Sequence, residues 1–468
     1  MRGVAAACLV AACSGCAVGP DFKRPELPPG ADYAPSPVAR AGPPPAEWWS
    51  TFGSTGIDAL VRDALARSPD LAAAHAALKA SEESLAAGAG VYYPQVDIGA
   101  SALRERLSPF RLGVEGTVAA FNLITLGAAV SYAIDVFGGN RRAVEKLGAE
   151  TDYERALGDA TFLTLTGNVV NTAIAGSAYR EELRATEALL ALQRREARLY
   201  EAQWQAGVAP YASVLAARQQ VASTRAALPA LRQRIAAAND LLATLSGRTP
   251  AEWSAAMPAF DEIRLPEAIP LSLPSALVRQ RPDILEAEAA LHAASAQVGI
   301  ATAALYPTVT LDATAGVQGP DRASLGTEGA RYGSFGPSIN IPVFSGFSGV
   351  HGEEAAKQQY EQAFAQYRQT VANAFGQVAT ALQALDNDAQ AERAQGDAFA
   401  IASRGRELAA ANAGAGLASE LQENLSAQSL EIARINLLQA RAQHLQDAAA
   451  LYVALGRPWT GAEGERPR

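Results

Sequence analysis

The sequence predicts a mainly α-helical fold with a membrane β-barrel portion, built on a tandem duplication. Three observations lead to this fold class. Hydrophobic residues account for 49% of the 468 residues and aromatic residues for only 7%. Alanine is the largest apolar contributor, which favours thin, closely packed helices. The two halves of the chain repeat one order of motifs, and each half contains segments in which polar and apolar residues alternate with the period of a β-strand.

The duplication is visible as matching motifs at a nearly constant spacing of about 210 residues. The matches are, in chain order, Ser68–Leu71 with Arg281–Ile284, Tyr93-Pro94 with Tyr306-Pro307, Val136-Phe137 with Val343-Phe344, Ala206–Ala209 with Ala415–Ala418, and Gly247-Arg248 with Gly456-Arg457. These matches define a first repeat at 51–250 and a second repeat at 266–460, joined by a connector at 251–265. A signal peptide at 1–15 and a proline-rich tether at 16–50 precede the repeats, and a tail at 461–468 follows them.

Each repeat is predicted to begin with a helix and to end in a long helical hairpin. The first helix holds a proline in its first turn, Pro69 or Pro282, where a missing amide is tolerated, and Ser68 can cap the first copy. Residues at about 141–205 and 350–412 are rich in Ala, Glu, Gln, Arg and Leu, and a glycine break and a second helical run to about 246 or 455 follow each. Helices of this length exceed a globular core, so we expect them to coil against one another.

In four segments, polar and apolar residues alternate with the period of a β-strand. Residues 309–317 and 335–343 alternate in the second repeat, and residues 96–100 and 126–136 alternate in the first. The uncharged stretch 116–134 is long enough for a transmembrane helix, but its second half has period two, which favours a strand. Four strands cannot close a barrel, and open edges in lipid leave backbone groups unpaired, so we expect three chains to supply twelve strands.

The N-terminus has the pattern of an export signal. A basic start at Met1-Arg2 precedes the apolar run Val4–Ala12 and small residues. Small residues before a cysteine resemble the lipobox of bacterial lipoproteins, and Cys16 is the predicted acylation site. Cys13 is the alternative acceptor, and an ordinary cleaved signal is a second alternative. The residue after Cys16 is alanine rather than aspartate, which favours the outer membrane as the destination.

Charge and motif content exclude several function classes. The chain has 39 basic and 48 acidic residues, a net charge of −9, which argues against nucleic-acid binding. No lysine follows a glycine, so a Walker A loop is excluded. The histidines lack metal-ligand spacing and no catalytic motif is evident, so we expect no enzyme activity and no metal site. The four histidines are His75, His292, His351 and His444.

Motifs along almost the whole mature chain carry a family resemblance. They are Cys16–Phe22, Trp48–Gly53, Ser131–Gly138, Arg281–Ile284 and Ala454–Gly456. In this order and on the duplicated frame, the chain resembles the TolC-like outer-membrane efflux proteins, in particular the lipoprotein branch that includes OprM and NodT. The resemblance implies a homotrimer with a twelve-stranded outer-membrane barrel and a long coiled-coil α-helical tunnel through the periplasm. It implies the gated exit duct of a tripartite pump for drugs and other small toxic compounds.

The resemblance also implies partners. They are a periplasmic adaptor (membrane fusion) protein, an inner-membrane pump of the RND type that supplies the energy, and outer-membrane lipid. No cofactor is implied apart from the N-acyl and diacylglycerol lipid on Cys16. A TolC-type duct for type I protein secretion is an alternative within the family. A structural periplasmic coiled-coil lipoprotein is an alternative from another class.

Finally, the resemblance implies two sets of site residues at the periplasmic ends of the helices. The adaptor-contact tips are Gly207, Val208, Gly416 and Leu417, and the aperture residues are Ser213, Glu420, Gln422, Glu423 and Asn424. Aspartates of relatives are replaced here by Gln422 and Leu425, so the chain departs from the family pattern. We expect Glu420 and Glu423 to supply a weaker acidic ring and mild cation selectivity, with a solvated outer helix face as the alternative position for both glutamates.

Overall fold

The computed structural model describes residues 17–26, 39–41, 45–106, 120–266, 269–271 and 280–456. The chain divides into two compact units. The first, called here the sheet unit, consists of Met1–Pro25, Leu78–Tyr153 and Ala287–Tyr367. The second, called the helical unit, consists of Glu26–Ala77, Glu154–Glu286 and Arg368–Arg468.

Seven helices account for most of the described residues. They are α1 (Thr55–Arg67), α2 (Pro69–Ala89), α3 (Gly139–Gln205), α4 (Tyr211–Leu245), α5 (Pro282–Ala303), α6 (Ser348–Gly414) and α7 (Glu420–Leu455). The strands are β1 (Ala39–Ala41), β2 (Gln95–Glu105), β3 (Phe121–Ile134), β4 (Ile269–Leu271), β5 (Thr308–Gly319) and β6 (Arg331–Asn340). Each repeat therefore shows one order: helix, two long strands, helical hairpin.

The long helices begin and end close to the positions that composition predicts. Helices α3 and α6 have 67 residues each, and α2 and α5 begin at Pro69 and Pro282. The Ser68 hydroxyl accepts a long hydrogen bond of 3.5 Å from the Leu71 amide. Helix α1 was not predicted; Ser54 caps it by accepting from the Ile57 amide at 3.3 Å.

The long strands form one antiparallel sheet in the order β2-β3-β5-β6. Strand β6 ends at Asn340, three residues before the predicted end at Val343, because Pro342 has no amide to donate to a ladder. Strands β1 and β4 form a separate parallel pair in the helical unit. The two repeats thus contribute two neighbouring strands each to a single sheet.

The stretch considered as a transmembrane helix is extended where the structure describes it. Residues 121–134 form β3, and residues 116–119 lie outside the described ranges. Among the residues that the structure describes, no helix combines the length and hydropathy needed to cross a membrane.

The core of the helical unit is built around aromatic rings. Trp48, Trp49 and Phe52, on a 3-10 helix, are at most 3% exposed. The Trp48 ring stacks on Tyr452 of α7 with their centroids 5.4 Å apart, and Trp49 meets Phe162 of α3 edge to face at 6.1 Å. The end of the predicted tether, at 48–50, is therefore part of a core, because three large apolar side chains gain more from burial than from extension into water.

Candidate functional site

One face of the four-stranded sheet carries large apolar side chains that are exposed in the part of the chain that the structure describes. Val96 and Ile98 on β2 are 65% and 81% exposed, and Phe335 and Ile339 on β6 are 76% and 62% exposed. Strand lengths of 10 to 14 residues meet the length of about 9–11 residues that crosses a bilayer. An apolar face of this kind is suited to lipid rather than water.

The opposite face of the sheet is polar and hydrogen-bonded. The Ser131 hydroxyl of β3 donates to Asp312 Oδ1 of β5 at 2.8 Å, and the Thr310 hydroxyl donates to Asp312 Oδ2 at 3.2 Å. The hydroxyls of Thr314 and Ser334 lie 2.7 Å apart across β5 and β6. A face lined by hydroxyl and carboxylate groups can border a water-filled passage, as the alternating sequence predicts.

The N-terminal strap, residues 17–25, is held against the sheet unit rather than extended into solvent. The Val18 amide donates to the Phe137 carbonyl just after β3, at 2.9 Å. Asp21 pairs with Arg142 at 2.6 Å, and Arg24 pairs with Glu288 at 2.6 Å. The described first part of the predicted tether is therefore fixed to the first turn of α3 and to α5.

Arg142 is the charged centre of this attachment. Its guanidinium is only 6% exposed and also binds Glu145 at 2.7 Å. Burial alone would raise the pKa of Glu145, but hydrogen bonds from Arg142 and His292 outweigh it and hold that pKa below its usual range. His292 lies 2.9 Å from Glu145 and stacks on Phe22 of the strap, with ring centroids 4.3 Å apart. This network holds Asp21 and Phe22 of the strap in place. Cys16 and Cys13 lie outside the described residues.

The two helical hairpins of the helical unit have matching glycine ends. Gly207 and Gly416 have φ of +72° and +70°. The Val208 amide donates to the Gln203 carbonyl at 2.9 Å, and the Leu417 amide donates to the Asn412 carbonyl at 2.8 Å. This is the Schellman arrangement, which needs a left-handed residue after the last helical turn. Glycine supplies it at no steric cost in both repeats.

Each glycine end presents one exposed apolar side chain. Val208 is 74% exposed and Leu417 is 79% exposed. The sequence predicted these residues as contact points, and the structure leaves both accessible in the single chain. Exposed apolar residues at the same position of both repeats give a pair of matching contact points.

The residues predicted for the aperture lie on α7 and at the start of α4, and they differ in exposure. Glu420 is half-exposed and pairs with Arg195 of α3 at 2.6 Å. Asn424 is only 1% exposed, and its amide donates to the Leu192 carbonyl at 3.0 Å. Gln422 is exposed, whereas Glu423 and Ser213 are half-buried.

Two of these residues have partners within the single chain. Glu420 is not an unpaired carboxylate, because Arg195 neutralises it from a neighbouring helix. Asn424 packs between helices, because a buried amide is stable where a backbone carbonyl accepts from it. Whether the five predicted aperture residues border the channel mouth stays a prediction.

Two of the histidines, His292 and His444, have carboxylate partners among the described residues. His444 is 5% exposed and lies 2.6 Å from Glu392, and His292 belongs to the Arg142 network. Within the described ranges, no group of three or more His, Cys, Asp or Glu side chains has a geometry that could hold a metal ion. The tail at 461–468 lies outside these ranges.

Comparisons with known proteins agree with this architecture. Residues 60–248 and 273–457 match the family described as outer membrane efflux protein. The chain is 32% identical to the pyoverdine export outer membrane protein OpmQ of Pseudomonas aeruginosa, over 88% of this chain and 87% of that protein. It is 29% identical to the toluene efflux pump outer membrane protein TtgC of Pseudomonas putida, over 96% and 94%. The solved structure of the outer-membrane channel OprN covers 95% of this chain and 100% of its own, with a TM-score of 0.86 and 27% identity.

These likenesses confirm the predicted fold class and the resemblance to the TolC-like proteins. They extend over both repeats and cover 95% of the chain in the comparison with the OprN structure. The chain therefore belongs to the outer membrane efflux protein family and is an outer-membrane efflux channel.

Proposed function

We propose that three copies of the chain form one gated duct through the outer membrane. The observation that carries this proposal is the four-stranded sheet, whose outer strands β2 and β6 have no further partner among the described residues. Unpaired edges in lipid cost several kcal/mol per backbone group, so they require partners. Three copies supply twelve strands, which is within the range of known barrels, whereas four strands are too few.

In the same proposal, the helical hairpins of the three copies lie in the periplasm. We assign the helical hairpins to a periplasmic tunnel, with Val208 and Leu417 at the ends that meet a periplasmic adaptor. An inner-membrane pump, of the RND type by the family resemblance, supplies the energy through that adaptor. The duct itself catalyses no reaction; transport through it is passive.

We further propose that the mature chain begins at Cys16 and carries acyl chains there. Ala17 lies against Gly138, directly after β3, and the Val18 amide is bonded to Phe137. The strap therefore positions the lipid where the apolar face of the sheet ends. This is where acyl chains can enter the same leaflet as the strands. Replacing Cys16 with serine should abolish labelling by radioactive palmitate, whereas replacing Cys13 should not.

The proposed cargo is small organic compounds. The named relatives export pyoverdine and toluene, and this chain shares their length and architecture. A duct for type I protein secretion is the alternative, and expression of the chain in a strain that lacks its own efflux ducts separates the two. Restored resistance to toxic compounds without restored protein secretion supports the proposal.

The direct test is single-channel recording on the purified, acylated protein, together with its oligomeric mass. We expect a trimer with a small, mostly closed conductance. A large, steadily open conductance would indicate a diffusion porin instead. A monomer without conductance would indicate a structural coiled-coil lipoprotein.

A further inference from the structure

A single row across the sheet contains three glycines and one tyrosine. Gly99 on β2 pairs with Gly127 on β3, Gly127 pairs with Gly316 on β5, and Gly316 pairs with Tyr332 on β6. By the alternation of the strands, all four positions belong to the polar face that carries Asp312 and Ser131. Glycine in a strand leaves space where a side chain would stand. The row therefore forms a flat surface without side chains across three strands.

The Tyr332 side chain lies on this flat glycine surface. A Cβ added to Gly316 would stand 2.9 Å from Cε1 of the Tyr332 ring, and a Cβ added to Gly127 would collide with the Tyr332 hydroxyl. Neighbouring strands are about 4.8 Å apart, so the side chain reaches from β6 across β5 towards β3. An aromatic ring that covers glycines in this way packs flat against the sheet rather than standing away from it.

We propose that Tyr332 lines the lumen and sets its width, and that the glycine row keeps the ring flat on the wall. This inference rests on the proposed function, because only a closed barrel has a lumen. The polar face must then point inward, since hydrogen-bonded carboxylate and hydroxyl groups are costly against lipid whereas Ile98 and Phe335 are not. Three copies bring three tyrosine rings to one height, near the loops that join β5 to β6.

The glycines of the row differ in what a methyl group would meet, and this difference supplies the test. At Gly127 the nearest atom is the Tyr332 hydroxyl, which is the far end of a flexible side chain. At Gly99 no atom lies within 4 Å. At Gly316 the nearest atoms belong to the backbone of β3, so a substitution there would distort the sheet. Gly127→Ala should therefore lift the ring into the lumen, and Gly99→Ala is its matched control.

The experiment measures how fast reagents of graded size pass the tyrosines from outside intact cells. Ser338→Cys places a thiol on the polar face of β6, six residues beyond Tyr332 on the side away from the loop, where Ser338 is exposed. The sequence contains no cysteine after Cys16, so this thiol is the only free one in the acylated chain. Membrane-impermeant maleimides of increasing size are added, and the labelling rate is followed on surface trimers.

We expect Gly127→Ala to slow labelling by the largest reagent severalfold, and Tyr332→Ala to accelerate it. Gly99→Ala should label like the parent, and the double variant G127A/Y332A should label like Y332A. The inference is overturned if G127A labels like G99A, or if G127A still slows labelling when Tyr332 is absent. Labelling of the parent by the smallest reagent shows that the lumen exists; its failure would overturn the proposed function together with this inference.

Discussion

Arg195 and Glu420 are 225 positions apart in the sequence, yet the Arg195 guanidinium donates two hydrogen bonds to one Glu420 oxygen, at 2.8 and 2.6 Å. No local pattern predicts such a pair. Sequence reasoning identified Glu420 as a candidate because it lies just after a glycine break, but it could not identify the arginine that neutralises it. At the scale of single residues, the position of a charge was predictable and its electrostatic effect was not.

This pair gives a prediction for ion selectivity. Arg195→Gln removes a positive charge and leaves Glu420 unpaired, so the K⁺/Cl⁻ permeability ratio of the trimer should rise. The expected change is about twofold, because exposed pairs contribute only about 0.5 kcal/mol. Reversal potentials in a salt gradient measure it. Arg194→Gln, at the neighbouring exposed arginine, is the control, and Glu420→Gln should change the ratio in the opposite direction; equal effects of R195Q and R194Q would contradict the assignment.

At the scale of elements, composition and periodicity predicted most of the fold. The expected helices at about 141–205 and 350–412 correspond to Gly139–Gln205 and Ser348–Gly414, because long runs of strong helix formers end at glycines in both repeats. Helix α1 was missed because its 13 residues give too short a pattern, and tertiary burial of Ile57, Leu60 and Val61 stabilises it. The strap was missed as a structured element because its partners are far away in the sequence.

The second prediction concerns the apolar residues at the matching helix ends. Val208→Asp and Leu417→Asp should each abolish resistance to toxic compounds, because a charge would be desolvated in an apolar contact with an adaptor. The amount of surface trimer should not change, since both side chains are exposed in the chain itself. Leu408→Asp, at another exposed leucine of α6 (63% exposed), is the control for added charge. Full resistance in the V208D/L417D double variant would exclude the tips from adaptor contact.

At the scale of the whole molecule, buried carboxyl groups make stability depend on pH. Burial, with Asp283 and Glu154 nearby, raises the pKa of Glu286 to about 7. Burial and the hydrogen-bonded carboxyl of Asp447 raise the pKa of Asp388 to about 6. Both values lie above those of the unfolded chain, so the folded state binds more protons between about pH 4 and 7. These two groups therefore lower the free energy of unfolding as pH rises through this range.

Glu286→Gln should remove part of this dependence. At pH 8 the variant should be more stable than the parent by about 2 kcal/mol, less than the full pKa shift implies, because the group is only half-buried. At pH 4 the two should be nearly equal, since Glu286 is then protonated in the folded chain. Denaturant unfolding in detergent at both pH values measures the difference. Glu407→Gln, at an exposed carboxylate of α6, should change stability little at either pH, and an equal gain there would contradict the prediction.

The attachment of the strap has a consequence for biogenesis. Residues 17–25 leave the ribosome before all of their partners, which include Phe137, Arg142, Glu288 and His292. During synthesis and export the strap therefore lacks its complete set of partners until Glu288 and His292, well past the middle of the chain, have followed it. For that interval the proposed acylation site stays on an extended segment that a modifying enzyme can reach. Complete docking of the strap then comes after the proposed acylation.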